Sequence, residues 1–171
     1  MKGLYIALLV LWLGGGTYIA NKKYCQKSKA KKPVASSVAA TGASNCDKTI
    51  SFDSGDFSIS SEDNFTFKIH KSDMVRPSEK LDEFLGEIST YLSDNPETTV
   101  LVTGQYSSNE KKPSGAENLG LARATSIKSF LEQSYNVSED QVELGSELIT
   151  DCFSKKTNTL RKGATFTSGV K

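Results

Sequence analysis

Beyond residue 46 the apolar positions follow two alternating periods, and the switches between them lay out a small domain. Phe57-Ser58-Ile59 and then Asn64-Phe65-Thr66-Phe67-Lys68-Ile69 alternate apolar with polar, which predicts half-buried strands. Asp73 to Ser78 reads as a turn, with Pro77 suited to a helix start. Leu81, Phe84, Leu85, Ile88 and Leu92 then form one core-facing stripe of a helix. Ser93-Asp94-Asn95-Pro96 ends it, because proline disfavours helical geometry in the residue before it. Thr99 to Val102 is continuously apolar, as a central strand would be, and Gly104 is expected to close it. A polar Lys/Ser loop leads to a second amphipathic helix through Leu119 and Leu131. Tyr135-Asn136-Val137 turns the chain, Gln141 to Leu144 reads as a third strand ending at Gly145, and a short strand falls at Ala164 to Thr167. The order β-α-β-α-β predicts an α/β (α+β) sandwich, its two helices packed on one face of a small mixed sheet.

One cation breaks the second helical stripe. At ~100° per residue, Leu119, Arg123, Ile127 and Phe130 fall within about 80° of each other, so Arg123 faces the sheet. An unpaired guanidinium is too costly to bury. It needs either an internal carboxylate or a cleft that admits an anionic ligand, and the residues leave both open.

The N-terminal quarter has a different character. Nineteen uncharged residues, Gly3 to Asn21, are enough to cross a bilayer once. Trp12, Tyr18 and Tyr24 suit the interface. Residues 1–21 are therefore expected to be a membrane anchor, with residues 3–21 in the lipid bilayer, or else a cleaved signal segment with Leu4 to Leu13 as its apolar core. Tyr18 spoils the small-residue cleavage pattern, which favours the anchor. Lys22, Lys23, Lys27, Lys29, Lys31 and Lys32 follow it, and Pro33 to Asn45 has the composition of a flexible tether. The domain is expected to occupy residues 46–171.

Charge and cysteine usage narrow the classes. Lysine plus arginine number 21 against 20 acidic residues, and the folded part carries no basic, aromatic-interleaved face, which argues against nucleic acid. The acids Asp53, Asp56, Glu62 and Asp63 lack EF-hand spacing, and no His/Cys cluster suggests a metal. No cofactor motif and no catalytic constellation is present, so an enzyme is not expected. His70, the only histidine, is expected on the polar face of a strand, as a solvent-exposed or edge residue. In an oxidising compartment Cys46 and Cys152 could staple the two ends of the domain, leaving Cys25 free; unpaired cysteines are the alternative.

Leu119-Gly120-Leu121-Ala122-Arg123-Ala124 with Ile127, Phe130 and Leu131, preceded by Asp94-Asn95-Pro96 and Thr103-Gly104 and followed by Val142-Glu143-Leu144-Gly145, resembles the OmpA-like C-terminal domain family. The resemblance runs from about Phe65 to Glu147, a little under half the chain. It implies a peptidoglycan partner, whose diaminopimelate carboxylates and amine the family grips with a helix arginine and a strand-end aspartate. Arg123 matches the arginine. The aspartate is replaced by Ser107 or Ser108, so this looks like a degenerate member. A hydroxyl cannot neutralise an ammonium: a neutral hydrogen bond contributes ~1 kcal/mol against ~1.5–3 for a charged one, which lowers affinity tenfold or more. Glu110 or Glu117 of the loop could stand in for the lost acid. Arg123, Ser107, Ser108, Thr103 and Asn118 are the residues expected to line the ligand site.

Two readings follow. One is an anchored envelope protein touching peptidoglycan weakly through Arg123; the other is a scaffold or interaction domain of an envelope complex that has lost this contact. The resemblance places the domain in the periplasm. The lysine count, one before the apolar segment and six after, pulls it toward the cytoplasm.

Overall fold

The computed structural model describes residues 47–111, 113–150, 152–154 and 156–171. The expected anchor (1–21), the linker (22–45) and the cysteines Cys25 and Cys46 lie outside them. Among the described residues no helix is long and apolar enough to cross a membrane.

A hairpin opens the domain: β1 (Ile50–Ser54) pairs antiparallel with β2 (Phe57–Ser61). Gly55 supplies the positive φ of 61° that a tight two-residue turn needs at its first position. β3 is only Phe67–Lys68. α1 runs from Glu79 to Asp94, with Ser78 as N-cap accepting the Leu81 amide. All five residues of the expected stripe are buried. With no basic residue in the last turn of α1, the Gln141 side chain does the work there, donating to the carbonyls of Leu92, Asn95 and Thr98.

The central sheet has the order β5–β4–β8. β4 (Thr98–Tyr106) runs parallel to β5 (Val142–Leu148) and antiparallel to β8 (Ala164–Val170), so the sheet is mixed as expected. α2 (Leu119–Tyr135) is the crossover between the parallel pair, followed by a 3-10 turn at Glu139–Gln141. Val100, Val102, Ala164 and Phe166 share a core with Leu81, Phe84, Ile88, Ala124, Ile127 and Leu131 of the two helices. Phe65, Phe84 and Phe166 meet there at 5.8–5.9 Å between ring centroids. A second small sheet, β3–β7–β6, is built from β6 (Phe153–Ser154) and β7 (Thr159–Leu160) beside β3.

The pattern misleads at three places. The expected strand over Asn64 to Ile69 shrinks to β3, because Asn64 turns its side chain to the last strand. Its amide donates to the Ala164 carbonyl at 3.0 Å and its oxygen accepts the amides of Gly163 and Ala164. Phe65 and Phe67 are buried, but their backbone is not in a long ladder. Gly104 does not end β4, and Gly145 does not end β5. Gly104 lies inside its strand because α2 passes so close that a Cβ would stand 2.1 Å from the Gly120 carbonyl. β1, with Ile50 and Phe52 buried, belongs to the core as well.

Gly86 is the opposite case. It sits inside α1 with nothing within 4 Å of where a Cβ would be. Gly86→Ala is expected to raise stability by about 0.5–1 kcal/mol, read as a higher urea midpoint at unchanged slope. Cys152 is buried and disulfide-bonded; the expected pairing with Cys46 falls on a residue outside the described ones.

Candidate functional site

Arg123 lies where its spacing predicts, on the sheet-facing side of α2, and is 0% exposed. Burial of a guanidinium demands that every N–H find an acceptor. Here all are engaged. Nε donates to the Lys71 carbonyl at 3.1 Å. Nη1 donates to the Gln105 carbonyl at 2.8 Å and to Glu110 Oε2 at 2.9 Å. Nη2 donates to the Lys68 carbonyl at 3.3 Å and to Glu110 Oε1 at 2.6 Å. The Phe67 ring lies under the guanidinium, with its centroid 5.0 Å from Cζ.

The partner carboxylate is equally complete. Both side chains of the Arg123–Glu110 pair are 0% exposed, and only the Glu110 backbone reaches the surface. Glu110 Oε1 also accepts the His70 amide at 3.0 Å, and Oε2 accepts the Ser107 amide at 3.0 Å. Four N–H groups therefore converge on one carboxylate, two from a bidentate guanidinium and two from the backbone. The loop is fastened once more by the Lys111 amide, which donates to His70 Nδ1 at 3.0 Å. That contact requires the histidine tautomer with its proton on Nε2. His70 itself has a φ of 62°. His70 is half-buried and lies in a turn rather than on a strand face, because the β3 strand stops at Lys68, and its ring latches the loop.

The other expected site residues divide. Ser107 is buried and joins Arg123 at the carboxylate, through its amide rather than its hydroxyl; the hydroxyl accepts the Asn109 amide. Ser108 is exposed. Asn118 caps α2, its Oδ1 accepting the Leu121 amide and its Nδ2 donating to Ser146 Oγ. Thr103 faces away from α2, since successive strand residues alternate and Gly104 holds the α2 side. On the opposite face its hydroxyl occupies the space beside its β5 register partner, Gly145, where a Cβ would stand 2.9 Å from it. The structure thus brings Arg123 and Ser107 together and places Ser108, Thr103 and Asn118 elsewhere.

His70 is the residue the sequence did not assign to this arrangement, and of the two loop acids offered as stand-ins for the lost aspartate it is Glu110 that meets Arg123, as an internal partner. A signal for Glu110 existed: an arginine in an apolar stripe needs an acid, and the loop joining its strand to its helix has two. Among the described residues no group of three His, Cys, Asp or Glu side chains is placed to hold a metal ion. Chemically, the arrangement is a closed electrostatic unit.

No family model and no curated protein matches the chain. Solved structures do. The chain is similar to the peptidoglycan-associated lipoprotein from Burkholderia pseudomallei, at 15% identity and a TM-score of 0.47, covering 63% of this chain and 90% of that one. It is also similar to the C-terminal domain of Helicobacter pylori MotB, at 19% identity and a TM-score of 0.43, covering 64% and 85%. The OmpA-like domain of FopA1 from Francisella tularensis aligns at 11% identity and a TM-score of 0.42, covering 78% and 94%.

Proposed function

We propose that this chain is an envelope protein whose OmpA-like domain works as a scaffold or protein-interaction module, with its arginine site closed from within. The single observation that carries this reading is the buried, bidentate Arg123–Glu110 pair. In the family this chain resembles, the helix arginine grips a ligand carboxylate. Here the chain supplies that carboxylate itself, and every guanidinium N–H is engaged without a ligand. Peptidoglycan contact through Arg123 requires a wall carboxylate to displace Glu110 from four N–H donors at once. An intramolecular group competes at an effective concentration in the millimolar range or above, so an incoming carboxylate starts at a disadvantage. Anchoring through residues 3–21, with the domain in the periplasm, completes the proposal.

Sedimentation with purified peptidoglycan tests it. The full chain is expected to stay in the supernatant. Saturable co-sedimentation, released by a free diaminopimelate-bearing peptide, would restore wall contact through Arg123 and remove the scaffold reading.

A further inference from the structure

The groove between α1 and the β1–β2 hairpin has the build of a docking site. It is a shallow, open depression of about 520 Å³, lined by Phe57, Glu83, Gly86, Glu87, Thr90, Tyr91 and Asp94. Its floor is aromatic: the Phe57 and Tyr91 rings stack with centroids 4.3 Å apart and planes 10° from parallel. The Tyr91 hydroxyl is tied to Ser54, which fixes the ring. Its rim is anionic. Glu83, Glu87 and Asp94 are exposed, and among the described residues none has an ion-pair partner within 4.0 Å. The neighbouring cation, Lys80, is already held by Glu62 at 2.5 Å.

The residues that make the groove are poor choices for the helix that carries them. Glu83 and Glu87 are like charges four apart, which repel on a helix face. Asp94 stands in the last turn, where the macrodipole disfavours an anion and no basic residue offsets it. Gly86 weakens the helix interior although space for a side chain is free. Folding asks for none of these, and all of them open onto one cavity. Departures from local rules that cluster in one place are the mark of a working surface.

We propose that this groove docks a short, extended, lysine- or arginine-bearing segment of a partner protein. Glu83 to Asp94 covers roughly 16 Å of helix at 1.5 Å per residue. A single cation cannot span that distance, whereas about five residues of extended chain can. Lysine and arginine stems lie along the stacked rings while their tips reach the carboxylates. Gly86 lets the segment's backbone approach the helix. Anionic lipid and nucleic acid are repelled by the same rim. The groove supplies the partner chemistry for the scaffold reading, and its biological use rests on that reading; its binding does not.

The experiment is a fluorescence-anisotropy titration of the full chain with a labelled nonapeptide of alternating lysine and serine. A glutamate–serine nonapeptide and unlabelled spermidine serve as controls. The lysine peptide is expected to bind, the glutamate peptide not, and spermidine not to displace it. Gly86→Phe, which fills the groove and keeps its charge, and the triple variant Glu83→Gln, Glu87→Gln, Asp94→Asn, which keeps its shape, are each expected to weaken binding at least tenfold. Thr90→Trp fills the same groove should Gly86→Phe fail to fold. No binding by the wild-type chain, displacement by spermidine, or wild-type affinity in the groove-filling variant each overturns the proposal. A chain that sediments with peptidoglycan and still binds the peptide sinks the scaffold reading and leaves the groove standing.

Discussion

Glu110→Ala is expected to destabilise the domain by about 3–5 kcal/mol, because it leaves the Arg123 guanidinium buried without a counter-charge. Arg123→Met is expected to lose a similar amount, since the Glu110 carboxylate then stays buried on two backbone amides alone. The two losses overlap. Removing both charges together, as Glu110→Leu with Arg123→Met, leaves no isolated ion and is expected to fall short of the summed single effects by at least ~1.5 kcal/mol. Full recovery is not expected. The guanidinium also satisfies the carbonyls of Lys71 and Gln105, and the carboxylate satisfies the amides of His70 and Ser107, whereas the Lys68 carbonyl keeps the Lys71 amide. Each orphaned group costs on the order of 1 kcal/mol, which keeps the double variant below wild type. Urea denaturation of the four proteins measures the cycle. Additive single effects would show that the pair is not a unit and would reopen Arg123 to an outside anion.

Gly104→Ala is the second large effect. The added methyl would lie 2.1 Å from the Gly120 carbonyl oxygen and 2.8 Å from the Ala124 amide nitrogen. Both are backbone atoms, so no rotamer change relieves the contact, and α2 must move off the sheet. A loss of ~3 kcal/mol or more is expected, lowering the thermal midpoint by about 10–15 °C. Gly86→Ala is the internal control, since the same methyl on α1 meets nothing within 4 Å. Equal thermal midpoints for the two variants would mean that α2 does not ride on Gly104.

Much of this architecture was legible because burial leaves a periodic trace. The α1 stripe and the position of Arg123 on α2 follow from spacing alone, and all are buried as spaced. What escaped depends on contacts between distant residues. Asn64 looks like one more polar strand residue until its side chain is seen bonding Gly163 and Ala164. Gly104 and Gly145 read as strand ends by composition, and nothing local says that a helix backbone or the Thr103 hydroxyl fills the space above them. The site was half legible for the same reason. Arg123 announces its need for an anion, whereas the choice between a ligand and Glu110 is settled by a twelve-residue connection, Ser107 to Asn118, that has no period to read.

Asn64 also bears on how the chain reaches this shape. Its three bonds join positions about a hundred residues apart, and β8 pairs with β4 across 60 to 72. Neither closure can form until the intervening helices have been gathered in, so the entropy of a large ring is met before these contacts repay it. Assembly should therefore be paced by this remote clasp, with the α1–α2 half collapsing ahead of it.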